Sequence, residues 1–548
     1  MNELSARVGP KQPVTADHAV CSSQHPIVTQ TMLDVMRTGG NAVDAAIAGC
    51  LVQATVQQDM TNHTGTVTFL YWDAASAKIY ELNSMGTIVP GLAPFTRVPQ
   101  GKGPFSSGMS PYAVIPGFMP GMKALHERFA TKPWAQLCEP AIRWAEEGHV
   151  VDSFEHLVMG QTVDFYLYTP SGRAHFTPHG HLPQVGDRCA QPELATTLRR
   201  LAEEGPDFFI TGEWARCFVE RANELGWMIE LQHMNAIQPR WGEGLRYRHR
   251  DVEIVQLSVP ERQGVFCSIV LGVLAHLDLP SLGHYTESAE ALYYFGHALR
   301  RASYETGALN DPMTFEDPTE TLMSSEFHAL LADILRRSKP KTGLAEHVRL
   351  TSVPNSLAAA GGTPKQPAGS CELSLVDAHG NWVQMMNTLQ SGGIPGEVLD
   401  GVPMVGSHGM TSLDAAIGGW FTGGGRMRSI IGNTIVLKDG RPWWSLGSPG
   451  NVHCTVPQVL SNVLDYGMTP YDAEDAPRML PLENDYKLSI ESRIPAAVID
   501  GLADLGVLVD PLPAYDYHMG TFQMSWLGDN GTLYGSAGPR RAGEAAGF

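Results

Sequence analysis

The feature that most constrains this chain is a stretch that cannot pack, set directly in front of one that must. Between Thr351 and Gly369 the sequence reads SVPNSLAAAGGTPKQPAG after the threonine, small, polar and broken by prolines. It has no apolar face, so residues 352–369 are expected to be a mobile surface linker. Immediately after it, Ser370-Cys371-Glu372-Leu373-Ser374-Leu375-Val376-Asp377 alternates as a strand does. A turn follows at Ala378-His379-Gly380-Asn381, then Trp382 to Leu389, which together predict a β-hairpin. A hydroxyl and a thiol therefore stand where a flexible segment enters a buried strand. If the bond before Ser370 breaks, Ser370 gains an α-amine whose ordinary pKa of about 8 suits it to act as general base for its own hydroxyl. The plainer reading, a linker entering a strand, is left open by this pattern alone.

Composition decides what surrounds that junction. The chain of 548 residues is long enough for several domains or for one large fold. It is 43% hydrophobic and only 17% charged, which excludes wholesale disorder. With 57 glycines and 38 prolines it must contain many turns and close backbone approaches. A net charge of -19 without a basic stripe argues against nucleic acid as a partner. No apolar run reaches the roughly 18 residues of a membrane span, and the N-terminus does not read as a secretory signal. A soluble, cytoplasmic protein is expected. Eight scattered cysteines without a C-x-x-C pair fit reduced thiols. His175, His179 and His181 fall in a Pro- and Gly-marked loop without an H-E-x-x-H helix, so neither a metal nor another cofactor is expected. No G-x-S-x-G elbow is present, and Trp443-Trp444 reads as core or interface.

Local patterns place the remaining elements. Pro26 to Val56 predicts two helices separated by Gly39-Gly40, the second capped by Asn41 with Asp44 three residues on. Val67 to Tyr71 and Lys78 to Leu82 predict strands. Helices are predicted over Glu193 to Glu203 and Ala289 to Glu305, and a strand-like stretch over Arg246 to Val259.

Read together, several blocks resemble the γ-glutamyltransferase family of N-terminal-nucleophile hydrolases. Gly39-Gly40-Asn41-Ala42-Val43-Asp44-Ala45-Ala46 is similar to the family's GGNAVDAA block. Ile115-Pro116-Gly117 with Gly121, and Gly205-Pro206-Asp207-Phe208-Phe209, resemble its V-P-G-x-x-x-G and G-P-x-x-F/Y turns. Ser374-Leu375-Val376-Asp377 with Gly380-Asn381 resembles S-V-V-D-x-x-G-N, and Gly447-Ser448-Pro449-Gly450 resembles G-S-P-G-G. Asp465-Tyr466-Gly467, Ala476-Pro477-Arg478 and the C-terminal Tyr534-Gly535 to Phe548 follow in the family's order.

The resemblance implies an α+β, four-layer αββα fold made as one precursor that cuts itself into a large subunit, residues 1–369, and a small subunit, residues 370–548. The two would pair as a heterodimer or as a dimer of such heterodimers. Counting back from Asp377 places the nucleophile at Ser370, where the family usually has threonine. Cys371 competes for the role, although a nucleophile there would shift the hairpin register by one and reverse its facing. Thr388 matches a strand threonine that hydrogen-bonds the nucleophile. Gly450 and Asn451 would offer backbone N–H groups to the oxyanion, each donor contributing roughly 3–4 kcal/mol in other enzymes.

Recognition residues depart from the family. Asn83 stands where an arginine grips the α-carboxylate of a γ-glutamyl group. Ser429 and Ile430 replace a serine pair, Ser412 an amine-binding aspartate, and Gln390 an asparagine. Losing a charged clamp on a zwitterion removes roughly 1.5–3 kcal/mol per hydrogen bond. The expectation is an amidohydrolase or acyltransferase that works through an acyl-enzyme on Ser370, on a small amide other than glutathione. Two other readings are an unprocessed, inactive binding protein, and a hydrolase of C–C bonds beside a carbonyl using the same oxyanion chemistry.

Overall fold

In this computed structural model the described residues are 8–88, 114–161, 163–224, 229–236, 239–346, 369–388, 393–394, 396–404, 426, 429–450, 452–481 and 487–548. Two seven-stranded sheets, every pairing in them antiparallel, lie face to face. The first runs in the order Glu544–Gly547, Val20–Ser23, Cys371–Val376, Trp382–Thr388, Thr66–Asp73, Lys78–Ser84 and Arg240–Gly242. The second runs Val14–Ala16, Leu533–Ala537, Gln523–Leu527, Arg441–Gly447, Thr434–Lys438, Val252–Gln256 and Leu245–His249. Leu70, Trp72, Val376, Trp382 and Met386 from the first meet Ile435, Leu437, Trp444, Met524 and Trp526 from the second. Trp444 is thus a core residue.

Helices close both outer faces. Pro26–Arg37, Ala42–Val56, Phe118–Phe129, Trp134–Glu147 and Pro192–Glu204 cover Phe69, Leu82, Leu373, Leu375 and Met385 on the first sheet. Gln263–His276, Ala289–Thr306, Ser325–Ser338 and Val452–Leu464 lie on the other side. The fold is the four-layer αββα sandwich of N-terminal-nucleophile hydrolases. No helix among the described residues is long and apolar enough to cross a membrane.

The sequence motifs act where the layers join. Asn41 and Asp44 form the reciprocal cap: Asp44 N donates to Asn41 Oδ1 at 2.8 Å and Asn41 N to Asp44 Oδ2 at 2.9 Å. Every residue of Ala42–Val56 is buried, and the helix reads apolar all round because neighbours enclose it on every side. Asp377, at the hairpin turn, accepts from Ala42 N at 2.9 Å and from Asn381 Nδ2 at 2.9 Å. The two motifs are therefore one joint, the turn of the hairpin satisfying a free N–H of the helix. At Gly117 a Cβ would overlap Ser84 O, and at Gly121 it would overlap Val67, so both glycines let Phe118–Phe129 lie close on the sheet.

The stretch Arg246 to Val259, read from sequence as one strand, is a hairpin of Leu245–His249 and Val252–Gln256. Its turn is carried by Arg250 at φ +54°, a conformation that no glycine, proline or asparagine announces.

Candidate active site

Strand pairing sets Ser370 against Thr388. Cys371 pairs with Asn387, so the residue before it falls opposite the last residue of the return strand. Ser370 Oγ donates to Thr388 Oγ1 at 2.8 Å, and Ser370 is buried. Its φ of +112° is one that a side chain rarely adopts, at a cost on the order of 1–3 kcal/mol. The carbonyl of Ser370 is held by Arg541, whose Nη1 donates to it at 3.0 Å. Arg541 is itself buried, over the rings of Phe154 and Tyr517.

Cys371 points the other way. Because facing alternates along a strand, its thiol lies on the helix side, among Met60, Phe154, Val158, Tyr517 and Ala542. It donates to Gln57 Oε1 at 3.5 Å, and burial, with Asp59 nearby, pushes the thiol well above its usual range. It is a neutral thiol in a closed pocket.

Between the sheets, beside Ser370, lies a polar column. Glu372 is fully buried and accepts from Gln384 Nε2 at 2.7 Å and Asn433 Nδ2 at 3.2 Å. Burial pushes its carboxyl well above the usual carboxylate range. Ser374 Oγ lies 2.9 Å from both Ser445 Oγ and Ser525 Oγ of the facing sheet. Gly447 is fixed here, because a Cβ would overlap the Glu372 carboxyl. The loop Ser448–Gly450 thus leaves the second sheet beside Glu372, two residues from Ser370, with Gly450 at φ +98°, and helix Val452–Leu464 follows it. Backbone N–H groups and the positive end of that helix suit a developing oxyanion. Asn451 lies outside the described residues.

This loop is buttressed by a buried ion network. Arg540 donates to Glu491 at 2.7 and 3.0 Å and to the carbonyl of Glu474 at 2.8 Å. Arg478 pairs with the Glu474 carboxylate and donates to the carbonyls of Met519 and Gly520, each at 2.9 Å. At Gly520 a Cβ would come within 2.5 Å of Ser448 Oγ. Arg478 of the Ala-Pro-Arg block and Arg540 near the C-terminus, far apart in sequence, form one support.

At the other end of the first sheet, Glu372, Met386, Thr68 and Asn83 form a row across four strands. Asn83 therefore shares the face of Ser370, about 14 Å across the sheet at ~4.8 Å per strand. Its side chain is occupied by protein. Arg426 Nη1 donates to Asn83 Oδ1 at 3.0 Å and also to its carbonyl. Asn83 Nδ2 donates to Glu261 Oε1 at 3.2 Å. Burial, reinforced by Glu81, pushes Glu261 up to about 8, and burial with Arg240 nearby pushes Arg426 down to about 10. Ser429 is buried with its carbonyl accepting from Arg262 N at 3.0 Å, and Ile430 packs against the inter-sheet core. Gln390 and Ser412 lie outside the described residues.

The gamma-glutamyltranspeptidase profile matches residues 28–548. The chain belongs to the gamma-glutamyltranspeptidase family. Among its relatives are the glutathione hydrolase proenzyme of Escherichia coli, 26% identical and spanning 96% of this chain and 91% of the relative. The Acylase ACY 1 proenzyme of Pseudomonas sp. (strain SE83) is 25% identical over 96% of this chain and 93% of the relative. The crystal structure of cephalosporin acylase from Bacillus halodurans superposes with a TM-score of 0.80, 22% identity, and coverage of 98% and 97%. Membership makes the chain an enzyme of the N-terminal-nucleophile hydrolase and transferase class.

Against the family pattern, the structure brings together Ser370 and Thr388, and separately Asn83 and the region of Ser429 through Glu261-Arg262. Sequence reading missed Arg541, Arg426 and Glu261. Arg541 lay within the recognised C-terminal block, but its contact with Ser370 is a matter of tertiary closure. Arg426 and Glu261 carried no signal of their own.

Proposed function

We propose that this family member cleaves itself before Ser370 and then hydrolyses a small amide through an acyl-enzyme on Ser370. The observation that carries this reading is the 2.8 Å bond from Ser370 Oγ to Thr388, at a residue of φ +112°, with Cys371 turned away. In the first step Ser370 Oγ attacks the Gly369 carbonyl, its proton passing to the Ser370 nitrogen as the C–N bond breaks and an ester forms. Water then cleaves the ester, giving a Gly369 carboxylate and a free Ser370 amine. Thr388 aims the hydroxyl, Arg541 anchors the carbonyl behind it, and breaking the bond releases the strained backbone. In turnover the α-amine takes the hydroxyl proton as Oγ attacks the substrate amide, and backbone N–H groups of the loop at Gly450 receive the oxyanion; the C–N bond then breaks, the amine leaves with that proton, and water hydrolyses the acyl ester to free acid and Ser370.

The cut pieces stay together because both sheets interleave them. Cys371–Val376 and Trp382–Thr388 sit between Val20–Ser23 and Thr66–Asp73, while Thr434–Lys438 pairs with Val252–Gln256.

The substrate is an acyl amide without a γ-glutamyl zwitterion. Asn83 offers no cation, and the Arg426 that reaches it is bound to Asn83 itself beside Glu261. An acylase proenzyme among the relatives supports acyl-amide chemistry. The test is a panel of N-acyl amides and anilides run beside a γ-glutamyl anilide on wild-type protein. Turnover of a non-γ-glutamyl amide at least tenfold above the γ-glutamyl compound is expected, and the reverse preference overturns the substrate assignment.

A further inference from the structure

A cavity of about 850 Å³ opens between the turn after helix Ala42–Val56, the helices Ser153–Gln161 and Pro170–Phe176, and the start of Pro192–Glu204. That volume suits a small organic ligand. It lies on the helix side of the first sheet: Asp59, which lines it, neighbours Met60, and Met60 clusters with Cys371, whose side chain faces away from that of Ser370.

Its chemistry is unbalanced. Asp59 is 7% exposed, its carboxyl meets no partner beyond its own backbone N–H, and no ion pair reaches it among the described residues. A buried carboxyl left in this state is costly, since such groups are ordinarily hydrogen-bonded or paired. The next acid, Glu155, is already taken by His149 Nε2 at 3.0 Å, while His149 Nδ1 has no partner. Burial, with Glu155 and Asp152 close by, holds the Asp59 carboxyl well above the usual carboxylate range, so an incoming positive charge would relieve both burial and repulsion. Arg541 acts on Asp59 only at a distance, its guanidinium donating to Ser370 O at 3.0 Å and Gln24 Oε1 at 3.4 Å. The lining is mixed, with Arg188 and His175 among its polar members, and its apolar part is Met159 and the edge-to-face pair Tyr166 and Phe176, ring centroids 4.5 Å apart. No group of three metal-binding side chains converges among the described residues, and the apolar part is wrong for a hydrated ion.

We propose that this cavity is a second binding site, for a primary ammonium carried on an apolar, ring-sized body, with the ammonium donating to Asp59 and the ring lying against Tyr166 and Phe176. The site is separate from the nucleophile and does not depend on the reading of Ser370.

The test is calorimetric titration of the full chain with 2-phenylethylamine, with 2-phenylethanol as the uncharged isostere. The amine is expected to bind wild-type protein saturably, and the alcohol at least tenfold more weakly, as loss of a charge-assisted hydrogen bond implies. Asp59→Asn should weaken the amine by roughly tenfold or more. Ala174→Trp fills the mouth from an exposed position that the core does not use, and should abolish binding without altering the melting temperature. It decides the matter if the Asp59 variant does not fold. Ser370→Ala should bind the amine as wild type does. No saturable heat with wild type, equal binding of the alcohol, unchanged affinity in folded Asp59→Asn or in Ala174→Trp, or loss of binding in Ser370→Ala would each overturn the proposal.

Discussion

The two ends of the first sheet have diverged from the family pattern by different amounts. At the Ser370 end the serine itself is held from two sides: the hydroxyl meets Thr388, the carbonyl meets Arg541, and the loop nearby rests on Arg478 and Arg540. At the Asn83 end, which we propose as the recognition end, position 83 carries no cation, and the guanidinium of Arg426 is held in the protein's own hydrogen bonds. On the proposed function, the Ser370 end needs a geometry that any amide will use. The recognition end needs only to fit one substrate class, so it can be rewired without touching the chemistry.

The comparison breaks most readily at the buttress. Arg540→Ala removes a fully buried guanidinium that joins Glu491 to the carbonyl of Glu474; Glu491 keeps Arg493 at 2.7 Å, so the cost is about 3 kcal/mol. Denaturant unfolding should show the loss directly, and a variant within about 1 kcal/mol of wild type would mean that the network does not support the loop. Thr388→Val is milder. It should slow processing and turnover by roughly tenfold to a hundredfold, the equivalent of one good hydrogen bond, while the unfolding midpoint stays nearly constant. Equal rates in the variant would show that the serine needs no partner.

The recognition end is sharpened by pH. Glu261 keeps its proton up to about 8 in the folded protein, whereas in the unfolded chain it titrates near 4.5. Between these values the native state holds the extra proton, so stability is greatest at the acid end and falls as pH rises, by up to about 1.4 kcal/mol per unit. Glu261→Gln should remove that slope. Melting curves between pH 5 and 8 that are parallel for the two proteins would place Glu261 in contact with solvent or with a full counter-charge.

How much of this was legible follows from the range of each interaction. The capping box of Asn41 and Asp44 and the hairpin from Cys371 to Thr388 were readable because caps and alternation are local, complete within a few residues. The facing of Ser370 and Cys371 follows from the same alternation. Arg250 hid a turn because an arginine at φ +54° carries no turn signature. Asn83, Glu261 and Arg426 could not be joined from sequence at all: an arginine in a glycine-rich run and a glutamate before a helix are unremarkable until the fold brings them within 3.2 Å of one asparagine.

The central claim is that Ser370 cuts the chain and then carries the acyl group. Intact-mass measurement of purified wild type and Ser370→Ala, with amide turnover assayed on the same samples, tests it most directly. Wild type should yield two fragments divided before Ser370, and Ser370→Ala a single active-site-dead species at the full 59.5 kDa. An uncut wild type, or a Ser370→Ala protein that still cleaves or turns over with Cys371 intact, would contradict the account.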